Sequence, residues 1–202
     1  VVHAGLLYLS SIKPSFVRTI NRWLSQYFLT PRGSITGWGN DIFYLPHLLK
    51  QDAVEYAVPM EKTQAFLMDL QQLVNDGNYH VQFPIEVRFV KQDNFWLSPA
   101  YKQDMCYVGT KSHLLPGQTQ DYAAYFKAVS KLVEEYNGRP HWGKQLYSSK
   151  SYFEQVFPKW KEFWTLIQLL DPAGLCDNEW LDNIKYQPTK QECEQLKKIM
   201  TL

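Results

Sequence analysis

Pro84-Ile85-Glu86-Val87-Arg88-Phe89 is the stretch on which the reading of this chain turns. Across the wider window Gln82 to Val90, the residues Phe83, Ile85, Val87 and Phe89 fall on one face, and Gln82, Pro84, Glu86 and Arg88 on the other. That period of two is the signature of a strand covering a core. It makes Glu86 and Arg88 neighbours that project away from the core. The bland reading of such neighbours is a same-face ion pair on a wet sheet surface, which contributes at most about 1 kcal/mol. Further along, Gly138-Arg139-Pro140-His141-Trp142-Gly143-Lys144 adds a second fixed cation, and the expectation is that Glu86, Arg88 and Lys144 converge on one open face.

Working outward, Ile42 to Leu45, Val54 to Val58 and Met105 to Gly109 read as further strands. Pro59 starts a helix carrying Phe66, Leu67, Leu70, Leu73 and Val74 on one face, stopped by Asn75-Asp76-Gly77-Asn78. A second helix, marked by Tyr122, Phe126, Val129, Leu132, Val133 and Tyr136, is closed by a cap at Gly138. Ser151 with Glu154 reads as a capping box, Pro158 as a break before Trp160 to Leu170, and Thr189 with Glu192 as the start of a last short helix. From Lys13 to Leu29, Phe16, Val17, Ile20, Trp23, Leu24, Tyr27 and Phe28 form the apolar side of an amphipathic helix, opposite Arg18, Asn21, Arg22, Ser25 and Gln26. Its apolar side suits either a protein core or a membrane interface. Thr30-Pro31-Arg32-Gly33 then reads as a turn, and so does Gly37-Trp38-Gly39-Asn40, which lacks the third glycine of a dinucleotide fingerprint. Together these elements predict an α+β fold: a mostly antiparallel sheet covered on one face by helices, with the other face lining an active site.

Composition narrows the functions. With 21 Lys and Arg against 20 Asp and Glu, the 202-residue chain is nearly neutral and has no charge footprint for a phosphate backbone, so nucleic acid is not an expected partner. Cys106, Cys176 and Cys193 cannot all pair within the chain and include no closely spaced pair, which points to a reducing, intracellular setting, cytoplasmic or peripherally membrane-associated. No apolar run is long enough to span a bilayer. The histidines His3, His47, His80, His113 and His141 are scattered without metal-ligand spacing, so no metal is expected. Neither a Gly-x-Ser-x-Gly elbow nor a Walker-type loop occurs.

The order of Val54-Glu55-Tyr56-Ala57-Val58-Pro59, Phe83 to Val90, Leu97-Ser98-Pro99-Ala100-Tyr101 and Gly138 to Lys144, with a tail around Leu170 to Gly174 and Trp180-Leu181, resembles the C-terminal half of the aldonolactone oxidoreductases. These are FAD enzymes of the vanillyl-alcohol-oxidase superfamily, acting on gulono-, galactono- or arabinono-lactone toward ascorbate-type products. The similarity runs from about Leu6 to Ile184. By that resemblance Glu86 binds a substrate hydroxyl and accepts a proton, Arg88 polarises a substrate oxygen, and Lys144 compensates charge at the substrate and the reduced flavin. His141 is a candidate substrate ligand, against the alternative of a hydrogen-bonded structural residue.

The same resemblance implies that FAD is bound mainly by a domain not present in this chain, which would then be inactive in isolation. Residues 1–144 are expected to form the core of a substrate-binding cap domain, and residues 145–202 a helical C-terminal segment that packs partly on the missing FAD domain. Expected partners are a sugar lactone, that domain and, through residues 13–29, a membrane surface. The competing reading is a non-catalytic remnant acting as an interaction subunit.

Overall fold

Four strands form one antiparallel sheet: β1 (Gln51–Pro59), β2 (Glu86–Val90), β3 (Met105–His113) and β4 (Arg139–Pro140), in the order β2-β3-β1-β4. The computed structural model describes residues 13, 15–28, 36–43, 50–81, 84–113 and 122–200. A short 3-10 turn, Met60–Lys62, leads from β1 into helix α3 (Thr63–Asp76), and α4 (Tyr122–Glu135) runs between β3 and β4. This is the α+β arrangement that the strand and helix periodicities predict.

Alternation within the strands sorts the side chains. Val54, Tyr56 and Val58 of β1, with Cys106 and Val108 of β3, point to one face and bury themselves against Phe66 and Leu70 of α3 and Tyr125, Phe126, Val129, Leu132 and Val133 of α4. Each such side chain, taken from water, contributes about 1.5–3 kcal/mol. Thr110 lies on the same face, and its hydroxyl and that of Tyr125 on α4 lie 3.1 Å apart. Burial pushes the Tyr56 hydroxyl up to about 12, which keeps it neutral.

Among the described residues, the opposite face is covered at one end. There the loop between β2 and β3 lays Ala100 on Ala57 and Met105, with Val90 and Tyr107 alongside. Asp93 pins this loop: the Ser98 hydroxyl donates to it at 2.5 Å and the Phe95 N–H at 2.9 Å. Arg139, buried beside β1, donates to the carbonyls of Pro99 (3.0 Å) and Tyr101 (2.9 Å), tying the far edge of the sheet to the same loop.

Beyond β4, α5 (Lys150–Val156), α6 (Trp160–Leu170), α7 (Glu179–Asp182) and α8 (Lys190–Met200) follow. Tyr152, Phe153, Val156, Phe157, Trp160, Trp164 and Ile184 make a second core, into which Leu97 of the loop is buried and on which Trp142 packs. The Tyr152 hydroxyl donates to the Gly138 carbonyl at 2.6 Å, fastening this unit to the sheet. Pro158 separates α5 from α6, as its ring and missing N–H require. At α8 the box is complete: the Thr189 N–H donates to Glu192 (2.7 Å), and the Glu192 N–H donates back to the Thr189 hydroxyl (3.3 Å).

Several expectations are corrected. Residues 39–43 form the short helix α2 (Gly39–Phe43), so Ile42 begins no strand and Gly39-Asn40 is not merely a turn; Leu45 lies outside the described residues. The cap of α5 is Ser149, whose hydroxyl accepts the Tyr152 N–H, while Ser151 sits inside the helix. At the end of α4 the left-handed residue is Asn137 (φ 54°), not Gly138. Glycine is required at 138 for a different reason: a Cβ there would come 2.5 Å from the Val133 side chain and 3.2 Å from the Ala57 carbonyl.

In α1 (Phe16–Phe28) Val17 is buried, but Asn21, expected on the solvent side, turns inward and donates to the Val81 carbonyl at 2.7 Å. Phe16 and Trp23 stay exposed. Finally, the apolar face expected for the β2 stretch is only partly covered: Val87 is 39% and Phe89 65% exposed, because α3 and α4 centre on β1 and β3 and β2 is the sheet edge. Phe83 and the turn Thr30 to Gly33 lie outside the described residues.

Candidate active site

The uncovered part of the second face is organised in rows. Glu86 on β2 stands opposite Gly109 on β3, and Gly109 stands opposite Glu55 on β1. His141, one residue past β4, extends this row by donating its N–H to the Glu55 carbonyl at 2.9 Å. The next row runs Arg88, Tyr107, Ala57, Arg139. The single missing side chain at Gly109 leaves a bare floor in the middle.

Between His141 and Gln145 the chain leaves the sheet and returns. His141 N–H and Gln145 N–H both donate to β1, to the Glu55 and Ala53 carbonyls, and the residues between them bulge outward. The Lys144 N–H closes the bulge on the His141 carbonyl at 3.0 Å. Trp142 leaves toward the C-terminal core, while Gly143 and Lys144 line the sheet face. The Gly143 N–H donates to His141 Nδ1 at 3.2 Å, and a Cβ on Gly143 would sit 3.2 Å from the imidazole. With Nδ1 accepting, Nε2 is the ring nitrogen left to donate.

Glu86, Arg88, His141 and Lys144 therefore line one groove of about 790 Å³, together with Glu55, Tyr107, Gly109 and Lys111. The four candidates from the sequence are brought together on the face opposite the helices. Their pairing also departs from the bland reading of a same-face ion pair. Glu86 and Arg88 do not pair with each other: Lys111 Nζ donates to Glu86 at 2.6 Å, and the Arg88 guanidinium pairs with Glu55. The hydrogen bond from Lys111 holds the Glu86 carboxyl below its ordinary range against the opposing effect of partial burial, and the charges of Lys111, Arg88 and Lys144 add to it. Glu86 is thus an anionic acceptor in a ring of cations. Burial pushes the Tyr107 hydroxyl up, keeping it a neutral donor. No hydrogen-bonding partner for the Lys144 ammonium is seen among the described residues.

Glu55, Lys111, Tyr107 and Gly109 were missed from the sequence as site residues. A signal existed for Glu55: one carboxylate inside Val54-Glu55-Tyr56-Ala57-Val58 is a charge in an otherwise apolar strand, which demands a partner. Lys111 carried none, because the strand was expected to stop at Gly109 and instead runs to His113. Among the described residues no group of His, Cys, Asp and Glu is arranged to hold a metal ion, and no helix is long and apolar enough to cross a membrane.

The antiparallel sheet thus carries helices on one face and a charged, open groove on the other. The chain belongs to the D-arabinono-1,4-lactone oxidase family, whose model matches residues 1–184; residues 185–202, which include the last helix, α8, lie beyond the match. It is 31% identical over 178 residues to an L-gulonolactone oxidase of Scyliorhinus torazame, covering 88% of this chain and 40% of that protein. An L-gulonolactone oxidase of Bos taurus is 29% identical over 182 residues, covering 90% and 41%. An L-gulono-1,4-lactone dehydrogenase of Mycobacterium tuberculosis is 30% identical over 167 residues, covering 83% and 38%. The chain thus spans about 40% of the length of these curated relatives and matches their C-terminal part.

Proposed function

We propose that this chain is the substrate-facing part of an FAD-dependent oxidoreductase that oxidises a sugar 1,4-lactone of the gulono-, galactono- or arabinono- type. The observation that carries the reading is the convergence of Glu86, Arg88, His141 and Lys144 on one open groove of the sheet. The groove suits the flavin and its substrate together: Gly109 leaves its floor bare, and Arg88, Lys111 and Lys144 supply positive charge where negative charge develops. When bound, FAD supplies the hydride acceptor for oxidation of a secondary alcohol.

The residues of this chain do the rest. As the hydroxyl becomes a carbonyl it loses its C–H as hydride and its O–H as a proton. Glu86, held anionic by Lys111, accepts the hydrogen bond from that hydroxyl and takes the proton. Arg88 donates two N–H groups to substrate oxygens, which fixes the ring and stabilises the developing oxyanion. His141 Nε2–H donates to a further hydroxyl, and Lys144 would offset negative charge on the cofactor when it is bound. Lys144 is accordingly the residue of this chain that would hold the cofactor.

Residues 1–144 serve in this reading as the cap core and 145–202 as a helical segment that also packs on the flavin-binding part of a longer protein. Supporting that division, Leu170, Leu175 and Ile199 are all exposed on the C-terminal segment. The test is anaerobic mixing of the FAD-loaded longer protein with L-gulono-, L-galactono- and D-arabinono-1,4-lactone, following flavin absorbance. Bleaching by at least one lactone is expected; no bleaching by any of them overturns the reading.

A further inference from the structure

Each of the two ion pairs in the groove has an exposed and a sheltered member. The side chains of Arg88 and Glu86 are 58% and 49% exposed, whereas those of their partners Glu55 and Lys111 are 10% and 19% exposed. The exposed members sit two residues apart on β2, about 7 Å along the strand, close enough for their side chains to meet. They are nevertheless drawn apart, because each is engaged by a charge on a different strand. Lys111 holds Glu86 from β3, diagonally, one step beyond Gly109. Glu55 holds Arg88 from β1, two strands away, a reach of about 10 Å that needs both long side chains and a clear path over β3. Gly109, which stands directly between Glu86 and Glu55, keeps that part of β3 low.

We infer that Lys111 and Glu55 are positioning residues of this site, holding the acid and the guanidinium apart so that both stay presented to a polyhydroxylated ring. The inference rests on reading Glu86 and Arg88 as substrate-facing groups. Without Lys111 the carboxylate loses its anchor and turns to Arg88; without the Glu55 charge the guanidinium turns to Glu86. Either loss closes the acid and the cation on each other. The geometry also sets a size limit at 109: a Cβ there would meet Glu86 Cβ at 3.7 Å and Oε2 at 3.8 Å, which is ordinary contact, so alanine fits, while a branched side chain intrudes on the path of Arg88.

The pairing can be tested without lactone or flavin, by following the Glu86 side-chain carboxyl in the 202-residue chain through a pH titration with carbon-detected NMR. In the parent the midpoint lies below the ordinary glutamate value. Lys111→Met is expected to raise it by about one pH unit, and Lys111→Arg to keep it at the parent value. Glu55→Gln, which conserves size and hydrogen bonding, is expected to lower it further as Arg88 turns to Glu86. An unchanged midpoint in Lys111→Met, or a rise in Glu55→Gln, overturns the inference. In the flavin-loaded longer protein, Lys111→Met is expected to lower kcat/KM for the lactone about tenfold and to move the acidic limb of the pH profile by the same interval, with Lys111→Arg restoring both. A parent protein that bleaches with no lactone would sink the functional reading, and the NMR titration would still decide the pairing.

Discussion

The two faces of this sheet use the same three strands for opposite purposes. On the helix side, β1 and β3 present Val54, Tyr56, Val58, Cys106 and Val108 to α3 and α4, and almost everything is apolar and dry. On the other side, the residues between them are Glu55, Tyr107, Gly109 and Lys111, joined by Glu86 and Arg88 from β2 and by Lys144 from the bulge after β4. One face stabilises by burying apolar area; the other holds charges whose pairing contributes little stability and preserves an open geometry. The contrast teaches that a strand's alternation assigns each residue to a task, while the neighbouring strands decide how well the task is done.

The comparison breaks most visibly by emptying the helix side. Phe126→Ala is expected to cost about 3–5 kcal/mol in chemical denaturation, through lost burial and the cavity left behind. Next in size is Arg88→Lys on the open face. One ammonium cannot reproduce a planar two-pronged contact, so lactone turnover in the flavin-loaded protein should fall about 100-fold, equivalent to about 2.7 kcal/mol. Its melting temperature should stay close to that of the parent, whereas a matching loss of stability would place Arg88 among the residues that hold the fold.

A third substitution probes the junction between the faces. Gly138→Ala forces a methyl to 2.5 Å from the Val133 side chain, and is expected to lower stability by about 1–3 kcal/mol in the same assay. A smaller effect belongs to pH. Because the folded-state pKa of Glu86 lies below its ordinary value, its pairing stabilises the fold above the ordinary carboxylate range and is lost as pH falls through the folded-state value. The carboxyl is about half exposed, so screening limits this to less than about 1 kcal/mol. Denaturation midpoints of the parent and Glu86→Gln should differ at about pH 6 and converge toward about pH 3. Smallest of all, Phe89→Ser should change stability by no more than about 0.5 kcal/mol, since this edge residue is 65% exposed although it belongs to the apolar register. A loss of 2 kcal/mol or more, on the order of a core substitution, would show that the helix side extends under β2.

Features enforced within a few residues were readable in advance. The reciprocal bonds of Thr189 and Glu192, the break at Pro158, the helix after Pro59 and the outward direction of Glu86 and Arg88 all follow from local geometry. Readings failed where two local signals competed or a distant segment intervened. Ser149 and Ser151 are both plausible caps, and the bond to the Tyr152 N–H selects the first. Ile42 is β-branched in a short apolar run, yet residues 39–43 close into a helical turn. Asn21 is polar by type, but the Val81 carbonyl gives it a distant, partly buried partner that composition cannot announce.

The sequence by itself determined which side chains share a face, where most helices begin and end, and that an acid and a guanidinium stand side by side on one strand, because these follow from the fixed periods of strand and helix. Only the tertiary structure decided which strands are neighbours and in what register. That register sets Gly109 between Glu86 and Glu55, gives Lys111 to Glu86 and Glu55 to Arg88, and brings Lys144 back to the same groove through the bulge after His141. Pairing of charges from separate strands depends on distances of a few ångströms across the sheet, and those are fixed by packing against α3 and α4 rather than by any spacing along the chain.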